Sequence, residues 1–216
     1  MKGKERLAYA FLINLLIVIA ESFVLSVNLK KSGAAIFTYY TENANLITLL
    51  SSLFFCIFAA LCLLGLIKSV PQLVRILRYV GVSMLLLVVL VVGLVLSPLL
   101  GGLSGAAMLF LSGTMFYHHL LCPVLSILSF WLFETGQALG RRHTAIALLP
   151  TTLYAAALLT LNALSVVKGP YPFFQVHDVS PLFVIGTSLL IFLAALGGAV
   201  LLRGRTGGKK RREAVE

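Results

Sequence analysis

The chain has 216 residues, of which 60% are hydrophobic and only 11% charged, and its mean hydropathy is +1.04. A soluble domain does not need so apolar a composition, and the expected setting is a bilayer. The net charge of +10 is read as a topology signal with attraction to anionic lipid headgroups at the basic tail, not as a nucleic-acid surface, because the basic residues cluster in the connections between apolar runs.

Long apolar runs recur at 7–29, 46–67, 79–100, 114–133, 144–167 and 181–202, each near the roughly 20 residues that span a hydrocarbon core. Backbone groups cannot stay unpaired in lipid, and the runs lack the alternation of barrel strands, so helices are expected. The predicted fold is all-α, a polytopic six-helix bundle over 1–203, followed by a basic tail, 204–216, expected to be disordered. The first run follows Lys2, Lys4 and Arg6 but is too long for a signal-peptide core and lacks a small-x-small site, so it reads as an uncleaved helix. Of the 17 basic residues, 14 fall on the side of the termini and 3 (Lys30, Lys31, Lys168) on the other, which predicts cytoplasmic termini in a cell-membrane protein.

Polar residues inside such helices usually face the bundle interior. In the first helix Asn14, Glu21 and Asn28 recur every seven residues and share a face. The second opens with FTYYTENANLITLL, where Thr41, Asn45 and Thr48 form one stripe. Residues 99–113 are uncharged and Gly-rich, as a re-entrant lid would be. The fourth helix carries FYHHLLCPVLSILSFWLFE, in which His119, Cys122 and Ser126 share a face. Asn162 nears the outer end of the fifth helix, and the last outer loop, KGPYPFFQVHD, holds Tyr171, Phe173, Phe174, His177 and Asp178. Hydroxyl, imidazole, amide and carboxylate groups are thus expected at one depth near the outer face. Each also has a structural reading: Thr41 and Asn45 as helix-end or interhelical hydrogen bonders, the histidines as packed groups, Cys122 as a small apolar filler, and the aromatics of 171–174 as an interfacial belt.

The three cysteines, Cys56, Cys62 and Cys122, lie within predicted helices, suggest no disulfide framework and fit no metal spacing; neither a metal nor another cofactor is expected. Internal repeats are not apparent.

Tyr39, Thr41, Asn45 and Leu46 spell Y-x-T-x-x-x-N-L. His119 and Pro123 spell H-x-x-x-P ahead of Trp131, Leu132 and Phe133, and a Y-P-F-F turn fills 171–174. Together these resemble the bacterial six-pass relatives of the androgen-induced-gene and androgen-dependent TFPI-regulating proteins. The resemblance implies a membrane hydrolase of fatty acid esters of hydroxy fatty acids, with Thr41 as its threonine and His119 as its histidine. The chain departs from that pattern at Glu42, where an apolar residue is expected, and at Ser129, where an acidic one is.

The chemistry expected of the residues is that His119 takes the proton of the Thr41 hydroxyl and later protonates the leaving alkoxide. The Asn45 amide would then meet the oxyanion, while Glu21, His177 or Asp178 orients the imidazole. Tyr171, Phe173, Phe174, Cys122 and Asn162 would border a groove for a membrane lipid or fatty acyl ester. Two alternatives stay open: an acyltransferase or thiol hydrolase working through Cys122, and a non-enzymatic protein binding or transporting a lipid or ion. The oligomeric state is not legible.

Overall fold

A computed structural model describes residues 3–134 and 136–212, with 205–212 as backbone only. The protein is all-α, without a strand among the described residues, and six helices are long and apolar enough to cross a bilayer. They are α1 (Gly3–Ser32), α2 (Tyr40–Leu63), α3 (Gln72–Leu99), α5 (Gly113–Phe133), α6 (Arg141–Ala163) and α7 (Pro181–Arg212), with a short helix α4 (Leu103–Leu111) between α3 and α5. A multi-pass membrane protein follows from their number, length and composition.

The helix bounds depart from hydropathy where polar side chains find partners inside the bundle. Helix α2 starts at Tyr40 rather than near 46, because its first turns pair with other helices instead of with water. Helix α6 ends at Ala163 rather than 167. There Asn162 Nδ2 donates to the Val167 carbonyl at 3.1 Å, and Ser165 takes a positive φ of 57°. Helix α7 continues to Arg212, so the tail expected to be disordered from 204 begins inside a helix. Residues 213–216 lie outside the described part.

Helix α3 runs through the middle, packed on α2, α5, α6 and α7. Its Tyr79, Val80, Val82, Leu85, Leu87 and Val88 are all buried. Gly81 lets α2 approach closely, since a Cβ there would stand 3.0 Å from Thr48 Oγ1 and 3.2 Å from Thr48 Cα; such small-residue contacts replace the hydrophobic drive that lipid cannot supply. Leu12, Leu16, Ile19 and Phe23 of α1 and Leu182, Ile185 and Leu189 of α7 are exposed and form the lipid-facing surface.

Toward the end that carries the termini, one buried ion pair ties four helices together. Arg78 Nη2 lies 2.9 Å from Glu134 Oε1, with both side chains fully buried. Arg78 Nη1 donates to Ser52 Oγ at 2.8 Å, while Asn14 Nδ2 and Ser129 Oγ donate to Glu134 Oε1 at 3.0 and 2.9 Å. Ser129, standing where an acidic residue was expected, therefore holds the carboxylate of Glu134 instead. Inside a low-dielectric bundle such a pair persists because the surrounding donors and acceptors satisfy it.

Helix α4 folds back against the last turns of α3 and the first turns of α5. Gly101 and Gly102, at φ +103° and +65°, make the turn, and Gly105 packs so close that a Cβ would meet the Ser97 carbonyl at 2.6 Å. The stretch expected to be a re-entrant lid is thus a short helix wedged between two spans.

Candidate functional site

Two prolines shape the helices around the site. Pro98 and Pro123 have no N–H to continue the α-helical ladder, and each follows a π-helical turn, at Val92–Leu96 and Tyr117–Leu121. The second turn contains both adjacent histidines and rotates the helix enough to bury both, at 4% and 8% exposure.

They face different partners. His119 Nδ1 lies 2.7 Å from the Leu109 carbonyl of α4, which can only accept, so the proton is assigned to Nδ1 and Nε2 is left as the basic nitrogen of the neutral ring. His118 Nε2 lies 3.1 Å from Glu21 Oε2, and its Nδ1 is 3.5 Å from Glu42 Oε1. The imidazole that Glu21 engages is therefore His118, not His119. Asn28, on the same face of α1, donates to Glu42 Oε1 at 2.7 Å, so the seven-residue spacing of Asn14, Glu21 and Asn28 does mark an interior face.

Thr41 lines a narrow apolar slot of about 50 Å³ between α2, α3, α6, α7 and the loop before α7. Leu87, Val88, Val91 and Val92 of α3 form one wall, and Phe173 and Phe174, with Ala155 and Ile191, close others. Polar atoms gather near Thr41. Its side chain stands beside the Tyr171 hydroxyl, which accepts the Tyr40 N–H at 3.1 Å. Tyr40 and Thr151 hydroxyls pair at 2.7 Å, and Tyr154 donates to the Thr38 carbonyl at 2.7 Å. Burial raises the Tyr171 phenol above its ordinary range, so that it keeps its proton.

No hydrogen bond joins Thr41 to His119 among the described residues, and His119 does not line the slot. Asn45 is turned from the expected oxyanion role: its Nδ2 donates to the Thr41 carbonyl at 2.9 Å, and the side chain borders the small void of Glu21, Glu42 and His118. Cys122 is buried beside Glu21. Asn162 and His177 close the last loop instead of bordering the slot. Asn162 Oδ1 accepts the Val176 N–H at 2.7 Å, and His177 Nε2 lies 3.0 Å from the Asn162 carbonyl. Asp178 pairs with Lys168 at 3.1 Å on the exposed surface.

Of the expected residues, the fold brings Thr41, Tyr171, Phe173 and Phe174 together around one slot, and Glu21 and Asn45 around His118 and Glu42. Sequence reasoning did not single out His118, Tyr40, Thr151 or Tyr154. Only Tyr40 and His118, each adjacent to a noted residue, carried any signal. Thr41 thus offers a hydroxyl at the polar margin of a hydrocarbon-lined space, with a protonated phenol beside it, and His119 offers a neutral ring with Nε2 basic. Among known proteins, the chain matches no family model, no curated protein and no solved structure.

Proposed function

We propose that the protein is an integral membrane lipid ester hydrolase, with Thr41 as nucleophile and His119 as base, in the cell membrane with both termini cytoplasmic. The observation that carries the reading is Thr41 at the polar margin of a slot otherwise lined by hydrocarbon, beside the Tyr171 hydroxyl. The tautomer of His119 supports it further, since the Leu109 carbonyl leaves Nε2 as the atom that accepts a proton. No hydrogen bond joins Thr41 to His119 in the ligand-free protein, so the reading requires the substrate complex to bring His119 Nε2 to the Thr41 hydroxyl.

An acyl chain enters the slot from the bilayer and presents its ester carbonyl to Thr41. Nε2 of His119 takes the hydroxyl proton as Oγ1 attacks the carbonyl carbon. The Tyr171 hydroxyl, which retains its proton, replaces Asn45 as the donor to the oxyanion. Collapse expels the alkoxide, which takes the proton from His119, and water then hydrolyses the acyl-threonine with His119 again as base. This is the activity implied by the motifs' resemblance to the androgen-induced-gene family.

The test is covalent labelling of the purified protein by a fluorophosphonate, read by mass spectrometry. The expected adduct is on Thr41, absent in Thr41→Ala and His119→Ala and present in Cys122→Ala. An adduct on Cys122 selects the thiol enzyme, and no adduct on a protein that retains lipid through purification selects a lipid-binding protein.

A further inference from the structure

We propose that the polar cavity between the last turn of α6 and the loop before α7 binds the phosphoethanolamine group of a membrane lipid, a phosphodiester that carries a primary ammonium. The cavity has a volume of about 210 Å³ and lies at the end of the bundle opposite the termini, where α6 closes at Ala163. The loop divides its residues between two spaces. Tyr171, Phe173 and Phe174 face the Thr41 slot, whereas Gln175, His177 and Asp178 line the cavity together with Ser165 and Lys168. The two sites share no lining residue, so the proposal does not depend on the hydrolase reading. The cavity has room for several water molecules or for one small polar group.

The donors and acceptors left over define the ligand. His177 Nε2 lies 3.0 Å from the Asn162 carbonyl, which can only accept, so this nitrogen carries a proton. Ser165 Oγ, 3.3 Å from the same nitrogen, therefore keeps its own proton to donate elsewhere. Gln175 Nε2 donates to the Gly169 carbonyl at 3.2 Å, which leaves Oε1 as an acceptor. Lys168 and Asp178 pair at 3.1 Å, with side chains 73% and 49% exposed. An exposed pair of this kind contributes little to stability, so a ligand that brings both charges exchanges with it at small cost. The cavity thus offers an ammonium and a hydroxyl donor to a phosphate, and a carboxylate and an amide oxygen to an ammonium. A simple anion or a simple cation satisfies one half of that set, and a zwitterion satisfies both. Leu164 and Val166, in the turn that leads from α6 to the cavity, are 67% and 65% exposed. Hydrocarbon surface beside a polar pocket matches a lipid, whose headgroup and acyl chains are joined, better than a free headgroup.

Native mass spectrometry of the full-length protein in detergent tests this, by titration with phosphatidylethanolamine, phosphatidylcholine and phosphatidylglycerol of identical acyl chains. Phosphatidylethanolamine should bind roughly tenfold more tightly than the other two, because choline has no N–H for Asp178 and Gln175 and the glycerol headgroup has no cation. Lys168→Gln and Asp178→Asn should each remove that preference without changing the melting temperature, since both side chains are exposed. Lys30→Gln removes an exposed positive charge from the same end of the bundle and should leave the preference intact. Equal binding of the three lipids by the wild-type protein, or a preference that survives both cavity variants, overturns the site. Loss of the preference in Lys30→Gln as well overturns it too, because the binding is then general charge attraction. Water-soluble glycerophosphoethanolamine should fail to displace the lipid; displacement at equal concentration shows a free headgroup as the ligand and overturns the lipid as its source.

Discussion

His118 and His119 are neighbours in the chain but belong to different environments: His118 lies 3.1 Å from a Glu21 carboxylate oxygen, while His119 lies 2.7 Å from the Leu109 carbonyl. The π-helical turn at Tyr117–Leu121 sends one ring toward α1 and α2 and the other toward α4.

The two histidines should therefore separate experimentally. His118→Ala leaves the Glu21 and Glu42 carboxylates without the imidazole that both engage and is expected to destabilise the protein by about 3 kcal/mol. His119→Ala removes a neutral ring and one hydrogen bond, leaves stability within about 2 kcal/mol of wild type, and abolishes fluorophosphonate labelling. Thermal unfolding and labelling on the same preparations check both, and equal destabilisation would mean that the rings play equivalent roles.

Arg78 and Glu134 are both fully buried and 2.9 Å apart. Arg78→Met alone and Glu134→Gln alone should each cost about 3–5 kcal/mol, while the double substitution costs less than either single one, because no uncompensated charge remains. A double-mutant cycle by thermal unfolding measures this, and additive losses would show that the two side chains do not interact.

Ala155 lines the slot of about 50 Å³ that holds Thr41. Ala155→Phe fills that space from the α6 side while leaving Thr41 and His119 unsubstituted. Lipid retention and the rate of labelling by long-chain probes should fall at least tenfold, while a short-chain fluorophosphonate still reacts. Loss of both to the same degree would place the acyl chain elsewhere.

The basic residues at the end that carries the termini predict that this end is cytoplasmic. A cysteine introduced at Gly140, in the connection before α6, should resist an impermeant maleimide added to intact cells and react after permeabilisation. Labelling from outside would invert the orientation.

Length, hydropathy and the spacing of polar residues were enough to determine six membrane helices and the interior face of α1. Apolar runs of the right length have only one way to satisfy their backbone in lipid, and Asn14, Glu21 and Asn28 repeat close to the helical period. The Y-P-F-F turn likewise marked Tyr171, Phe173 and Phe174 beside Thr41. Which imidazole meets which carboxylate lay beyond that reach. Spacing along an ideal helix puts His119 with Cys122 and Ser126, but Pro123 forces a π-helical turn that buries His118 as well, and only the docking of α1, α2 and α4 around that turn assigns Glu21 and Glu42 to His118 and the Leu109 carbonyl to His119. Asn45 shows the same division: its place one turn from Thr41 was legible, but not that its Nδ2 donates back to the Thr41 carbonyl while the side chain borders the void beside α1. One-dimensional periodicity determines which face of a helix is buried; the partners on that face come from the other helices, whose approach depends on small residues such as Gly81 and on local breaks in the backbone ladder.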